Sequence, residues 1–64
     1  MTERDERKAS IKAGLRALEA LTDYINAEVR CLEMGAIQDI FRTMGLIRGD
    51  IIENRKMLKY EAQP

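Results

Sequence analysis

The segment 37–58 constrains the fold more than any other part of this 64-residue chain. At about 100° per residue, its large apolar residues fall on one side of a helix: Ile37, Ile40, Phe41, Met44, Ile47, Ile51, Ile52 and Leu58. A stripe this wide needs a second apolar surface to cover it. The only other segment long enough is 11–32, so we expect the two segments to fold against each other.

The segment 11–32 carries a matching seam, a line of residues spaced by alternating steps of four and three that faces a neighbouring helix. The members of this predicted seam are Ile11, Leu15, Leu18, Thr22, Ile25, Val29 and Leu32. This spacing predicts a coiled-coil-like helix over residues 5–34. Residues 1–7 are polar and are expected to fray, although Thr2 with Asp5 is a weak helix-start signal.

Gly35 is expected to end the first helix in the left-handed conformation, with the turn at residues 35–36 and a second helix over residues 37–60. So short a connection forces neighbouring helices to be antiparallel. The predicted fold class is all-α, an antiparallel two-helix hairpin that makes one domain of residues 1–64, with a polar tail at 61–64. The alternative is one continuous helix, because a single glycine costs a helix only about 1 kcal/mol.

The first helix has more apolar surface than one neighbour can cover. A second column of mostly small residues lies away from its seam: Ala13, Ala17, Ala20, Tyr24, Ala27 and Cys31. Uncovered apolar surface of this extent is typical of a contact surface. We therefore expect two hairpins to pair as a homodimer in a four-helix bundle. The alternative is that alanine serves here only as a good helix former.

Gly45 and Gly49 are four residues apart in the second helix and indicate either a close helix crossing or a locally soft segment. Together with Ala17, Tyr24 and Cys31 they are the predicted packing and oligomer-interface residues. Thr22 and Asn54 fall on seam positions, where a polar residue either sets the helix register or sits at a solvated edge.

The charge and residue inventory argues against several function classes. Eleven Lys and Arg balance eleven Asp and Glu, so the chain lacks the net charge that attracts nucleic acids and anionic membranes. It has no histidine, the most common catalytic base and a common zinc ligand. Cys31 has no partner base to generate a thiolate. We expect no enzymatic activity, no cofactor and no metal.

The expected location is the cytoplasm. The first residues, MTERDERK, are charged where a signal peptide needs an apolar core. No apolar run is long enough to span a bilayer. A single cysteine fits a reducing compartment.

Phe41, Arg48, Ile52 and Arg55 form the candidate partner-binding site, because they border the apolar stripe of the second helix. Guanidinium groups could engage an acidic partner while Phe41 and Ile52 anchor it. This predicts a non-enzymatic protein–protein interaction module, such as an adaptor, inhibitor or chaperone-like regulator. The alternative is that the arginine stems pack along the core and the head groups pair with Asp50, Glu53 or a facing carboxylate.

A second hypothesis is a helical bundle that binds RNA or DNA through a basic end. Its candidate residues are Lys8, Lys12, Arg16, Arg55 and Lys59, which an antiparallel hairpin brings to one end. Carboxylates lie among them, and such a charged helix surface is usually only solvated. A third hypothesis is a small ligand bound at an oligomer interface.

In length and two-helix plan the chain resembles small dimeric bundle regulators and the short helical chaperones of secretion systems. No motif residue supports either resemblance, and no site residue is transferred from them.

Overall fold

The computed structural model describes residues 2–61, and these form two α-helices, α1 at Glu3–Glu28 and α2 at Met34–Glu61. The helices pack side by side and antiparallel, since Arg7 near the start of α1 bonds to Glu61 at the end of α2. The molecule measures 51 × 17 × 14 Å. The predicted all-α hairpin is confirmed, while residues 62–64 of the predicted tail lie outside the described range.

The start of α1 is fixed by a capping box. Thr2 Oγ1 accepts a hydrogen bond from the Asp5 backbone N–H at 3.2 Å, and Asp5 Oδ2 accepts from the Thr2 backbone N–H at 3.5 Å. The first turn also contains three carboxylates that stabilise the helix by interacting with the positive end of its dipole: Glu3, Asp5 and Glu6. The expectation that residues 1–7 fray is therefore wrong for the described part of this segment, because α1 begins at Glu3.

The connection between the helices is residues 29–33, not the predicted turn at 35–36. The backbone N–H groups of Cys31 and Leu32 both bond to the Glu28 carbonyl oxygen, at 2.9 and 3.1 Å. Leu32 is half-buried at this closed end. Gly35 lies in the first turn of α2, and no described glycine has a positive φ. The first helix therefore ends six residues earlier than its expected end, and no left-handed residue is needed to end it.

The seam of α1 also differs from the predicted one. The residues of α1 turned toward α2 are Arg7, Ile11, Gly14, Leu18, Leu21 and Ile25, whereas Leu15, Thr22 and Val29 are exposed. Thr22 bonds instead to the Leu18 carbonyl oxygen of its own helix, at 2.8 Å. The helix is rotated so that Leu21 replaces Thr22 in the seam, and Gly14 replaces Leu15. The seam of α2 consists of Ile37, Ile40, Met44, Ile47, Ile51, Asn54 and Leu58.

Gly14 is the point of closest approach between the helices. A Cβ atom placed on Gly14 would lie 2.9 Å from Ile51 Cγ1 and 3.4 Å from Ile47 Cγ2. Ile51 is the most buried of the apolar core residues, at 4% exposure. The missing side chain at Gly14 therefore makes the space that Ile51 fills. By contrast, no atom outside its own helix segment lies within 4 Å of a Cβ built on Gly45 or Gly49, so the hairpin places neither at a helix crossing.

A polar cluster holds the helices together at the open end. Arg7 donates hydrogen bonds to Glu61 at 3.2 Å, to Asn54 at 3.4 Å and to Glu3 at 3.0 Å. Asn54 is half-buried and also donates to Asp50 at 3.3 Å. Of the two polar seam residues predicted, Asn54 thus joins the helices in one register, whereas Thr22 does not.

The apolar core is thin. Among the described residues only Ile25, Met44 and Ile51 are buried apolar residues, and no side chain is fully enclosed. The accessible surface is 5215 Å², against about 4200 Å² for a compact protein of this mass. The radius of gyration is 14.8 Å, against about 11 Å for a compact chain of this length. Neither described helix has a stretch long and apolar enough to cross a membrane.

Substitution of Gly14 tests the close approach. Gly49→Ala should raise the free energy of unfolding by about 1 kcal/mol, because alanine is the better helix former. Gly14→Ala should be about 1–3 kcal/mol less stable than this control, because the new methyl group overlaps Ile51 and forces the helices apart. Urea unfolding followed by circular dichroism measures both. Equal stabilisation at the two positions would show that the contact is not tight.

Candidate interaction surface

The hairpin has two broad faces, one on each side of the seam. One side is identified by Ser10 of α1, whose Oγ donates to Asp50 Oδ2 of α2 at 3.5 Å. At about 100° per residue, Asp39, Leu46 and Glu53 lie within about 60° of Asp50 around α2. Phe41, Arg48, Ile52, Arg55 and Lys59 lie at least about 140° away from Asp50, and therefore on the other side of the seam.

The face without Ser10 and Asp50 is here called the basic face. Its cations are Arg4, Lys8 and Lys12 of α1 with Arg48, Arg55 and Lys59 of α2, all exposed. Its large apolar side chains include Leu15, Phe41 and Ile52, which are 45%, 56% and 58% exposed. Asp5, Glu19 and Asp23 are the carboxylates on this side. The basic face thus combines an apolar strip with an excess of positive charge.

The face that contains Ser10 and Asp50 is here called the acidic face. Its exposed carboxylates include Glu6, Glu28, Asp39, Asp50 and Glu53. Small residues of α1, Ala13, Ala17 and Ala20, lie within about 80° of Ser10 on this side. Arg7 at its edge is engaged by Glu3 and Glu61. A chain without net charge therefore separates its charges between two opposite faces.

All four predicted partner-binding residues lie on the basic face and are exposed. Among residues 2–61, no carboxylate lies within 4.0 Å of the charged groups of Arg48, Arg55 or Lys59, since the ion pairs there are Arg7 with Glu3, Arg7 with Glu61 and Arg42 with Asp39. The alternative interpretation, in which these head groups pair with Asp50 or Glu53, therefore has no contact to support it. Whether the four residues bind a partner stays a prediction.

The predicted oligomer-interface residues are dispersed. Ala17 is half-buried and Tyr24 is half exposed, both on the acidic face, while Cys31 is an exposed free thiol in the connection. Gly45 lies on the basic-face side of α2 and Gly49 on its outer edge. They form no single patch in the hairpin, and their role in an oligomer stays a prediction.

The predicted nucleic-acid residues are more closely grouped. Lys8 and Lys12 share the basic face and the open end of the hairpin with Arg55 and Lys59, whereas Arg16 points to the outer edge of α1.

Among the described residues, no group of His, Cys, Asp and Glu is arranged to hold a metal ion.

The division of charge between the two faces was not predicted from the sequence. The signal was present, because Asp50 and Arg48 flank the seam residues of α2 on opposite sides. Recognising the two faces also requires the correct seam on α1. The predicted seam was wrong here, because it placed Leu15 against α2 instead of on the basic face.

Compared with protein-family models, with curated proteins and with solved structures, the chain has no significant match.

Adjacent isoleucines test whether the basic face is free of the hairpin core. Ile51→Ala should lower the free energy of unfolding by about 2–4 kcal/mol, because it removes a buried side chain. Ile52→Ala should change it by less than about 0.5 kcal/mol, because this side chain is 58% exposed. Urea unfolding at low micromolar concentration measures both, with Ile51→Val as a milder variant if Ile51→Ala does not fold. Equal losses at the two positions would place Ile52 in the core.

Proposed function

We propose that this chain is a non-enzymatic protein–protein interaction module, an adaptor, inhibitor or chaperone-like regulator that binds its partner through the basic face. The observation that carries the proposal is the exposure of Phe41 and Ile52 beside Arg48 and Arg55, on a face that the hairpin leaves uncovered. Large apolar side chains next to guanidinium groups are typical of the residues that dominate binding energy at protein interfaces.

The chemistry of the basic face indicates which kind of partner surface would bind it. Covering Phe41 and Ile52 removes apolar surface from water, which favours binding by about 25 cal/mol per Å² before the costs of association. Arg48 and Arg55 have no carboxylate partner within the described hairpin. A partner that supplies carboxylates around an apolar strip would satisfy both requirements, because bidentate pairs of arginine with carboxylate are strong and directional.

We further propose that the chain works as a homo-oligomer, in which a second hairpin completes a four-helix bundle. The surplus of exposed surface over that of a compact protein supports this, as does the exposed side chain of Tyr24. The exposed thiol of Cys31 supports a reducing compartment such as the cytoplasm, where it would stay unpaired.

Partner capture by the full chain tests the proposal. The chain is immobilised at low density, and native host extract is passed over wild type, Phe41→Ala and Leu46→Ala. Leu46 is the matched control, because it is 73% exposed on the same helix but on the acidic-face side. Phe41→Ala should weaken capture of the bound protein by at least about tenfold, as expected for an anchor residue, and Leu46→Ala should not. Equal capture by wild type and Phe41→Ala would contradict the proposal.

Nucleic-acid binding is the second candidate, favoured by the grouping of Lys8, Lys12, Arg55 and Lys59 on one face. Four phosphate contacts would give a log–log salt slope of about −3 for single-stranded RNA. Fluorescence anisotropy with a labelled RNA, from 50 to 300 mM salt, measures this slope. We expect only weak binding, similar in wild type and Phe41→Ala. Micromolar or tighter binding at 150 mM salt with that slope, lost in Lys8→Ala/Lys12→Ala, would favour this candidate over the first.

A further inference from the structure

We propose that the basic face of one copy docks on the acidic face of a second copy of this chain. The inference rests on the proposed function, in which the basic face binds protein, and it names one partner for that face. The contact joins two different surfaces, so it is not a two-fold symmetric pairing of like faces.

The charges of the two faces are complementary. The basic face carries six exposed cations against three carboxylates, Asp5, Glu19 and Asp23. On the acidic face, Glu6, Glu28, Asp39, Asp50 and Glu53 meet no cation except at the edges. If like faces were placed together, each copy would bring six cations, or at least five carboxylates, to one contact, and this repulsion would destabilise it. When the basic face of one copy meets the acidic face of another, cations face carboxylates along both helices and the two copies attract each other.

The charged residues of α2 also match in position along the helix. If two copies stack in the same orientation, α2 of one lies over α2 of the other. Arg48 is two residues from Asp50, and Arg55 is two residues from Glu53, which is about 3 Å along the helix axis in each case. The two offsets run in opposite directions, so a stack without any axial shift keeps both pairs at nearly the same height along the helix.

The side-chain sizes on the two faces differ in a complementary way. Leu15 projects from α1 on the basic face, while α1 presents Ala13, Ala17 and Ala20 on the acidic face, so in this stack Leu15 of one copy lies over the small residues of the other. Large side chains of one helix pack well against small residues of another, because the helix axes can then approach each other closely. Two basic faces would instead bring large side chains together.

The available area is sufficient for such a contact. The accessible surface of 5215 Å² exceeds that of a compact protein of this mass by about 1000 Å². A stable protein interface buries about 800 Å² from each partner. Because each copy in a stacked pair keeps one face uncovered, the pair can add further copies, and a free basic face remains for another partner.

A charge-swap experiment tests the proposal. One variant, Arg48→Glu/Arg55→Glu, reverses the basic face, and the other, Asp50→Lys/Glu53→Lys, reverses the acidic face. Sedimentation velocity from 1 to 300 µM at 50 and 500 mM salt measures association, and circular dichroism confirms that each variant is helical. Wild type should form dimers and larger species, and this association should be weaker at high salt. Each variant alone should associate at least tenfold more weakly, and an equimolar mixture of the two should recover association.

Three results would overturn the proposal: a wild-type chain that stays monomeric to 300 µM, loss of association in only one of the two variants, or a mixture that associates no better than its components. Loss in one variant alone would indicate pairing of like faces. The partner capture described above separates this inference from the proposed function. If wild type is monomeric but partner capture depends on Phe41, only the self-docking proposal is wrong. If the mixed variants associate but partner capture does not depend on Phe41, only the proposed function is wrong.

Discussion

The structure depends on a geometric limit, namely that two helices packed side by side share only one seam. Each helix can turn one narrow side toward the other, and everything beyond that side remains in contact with water. Here the seam is tightened at Gly14, where Ile51 of α2 comes close to the backbone of α1. Even so, only three apolar residues of the described chain are buried. Eight large apolar side chains of the described residues are exposed, among them Phe41, Leu46 and Ile52, and they form the surface on which this chain can bind another protein.

The seam also decides which residues share a face. Once Ile11, Gly14, Leu18 and Leu21 face α2, the flanks of both helices are fixed, and their charges separate without any further feature of the backbone. Arg48 and Arg55 fall on one side, and Asp50 and Glu53 fall on the other. The polar cluster of Arg7, Asn54 and Glu61 holds the register at the open end, so the two faces keep a constant arrangement along the hairpin.

The hairpin itself was predictable, because the periodicity of α2 is nearly uninterrupted from Ile37 to Leu58. The turn was not, since residues 29–33 contain no strong turn former and Gly35 suggested a later reversal. The seam of α1 was only partly predictable. Two lines of residues compete there, and they share Ile11, Leu18 and Ile25. The choice between them depends on Gly14 fitting against Ile51, which is a tertiary contact. The partner-site residues share a face as expected, but the opposing carboxylates became apparent only with both helices in place.

The claim that another polypeptide surface completes this fold is tested most directly by the melting temperature as a function of protein concentration. Association of folded chains stabilises them by mass action, whereas an independent hairpin melts at one temperature regardless of concentration. The melting temperature followed by circular dichroism should rise by several degrees between 2 and 200 µM. A cooperative transition at one constant temperature over that range, with sedimentation as a monomer, would contradict the account.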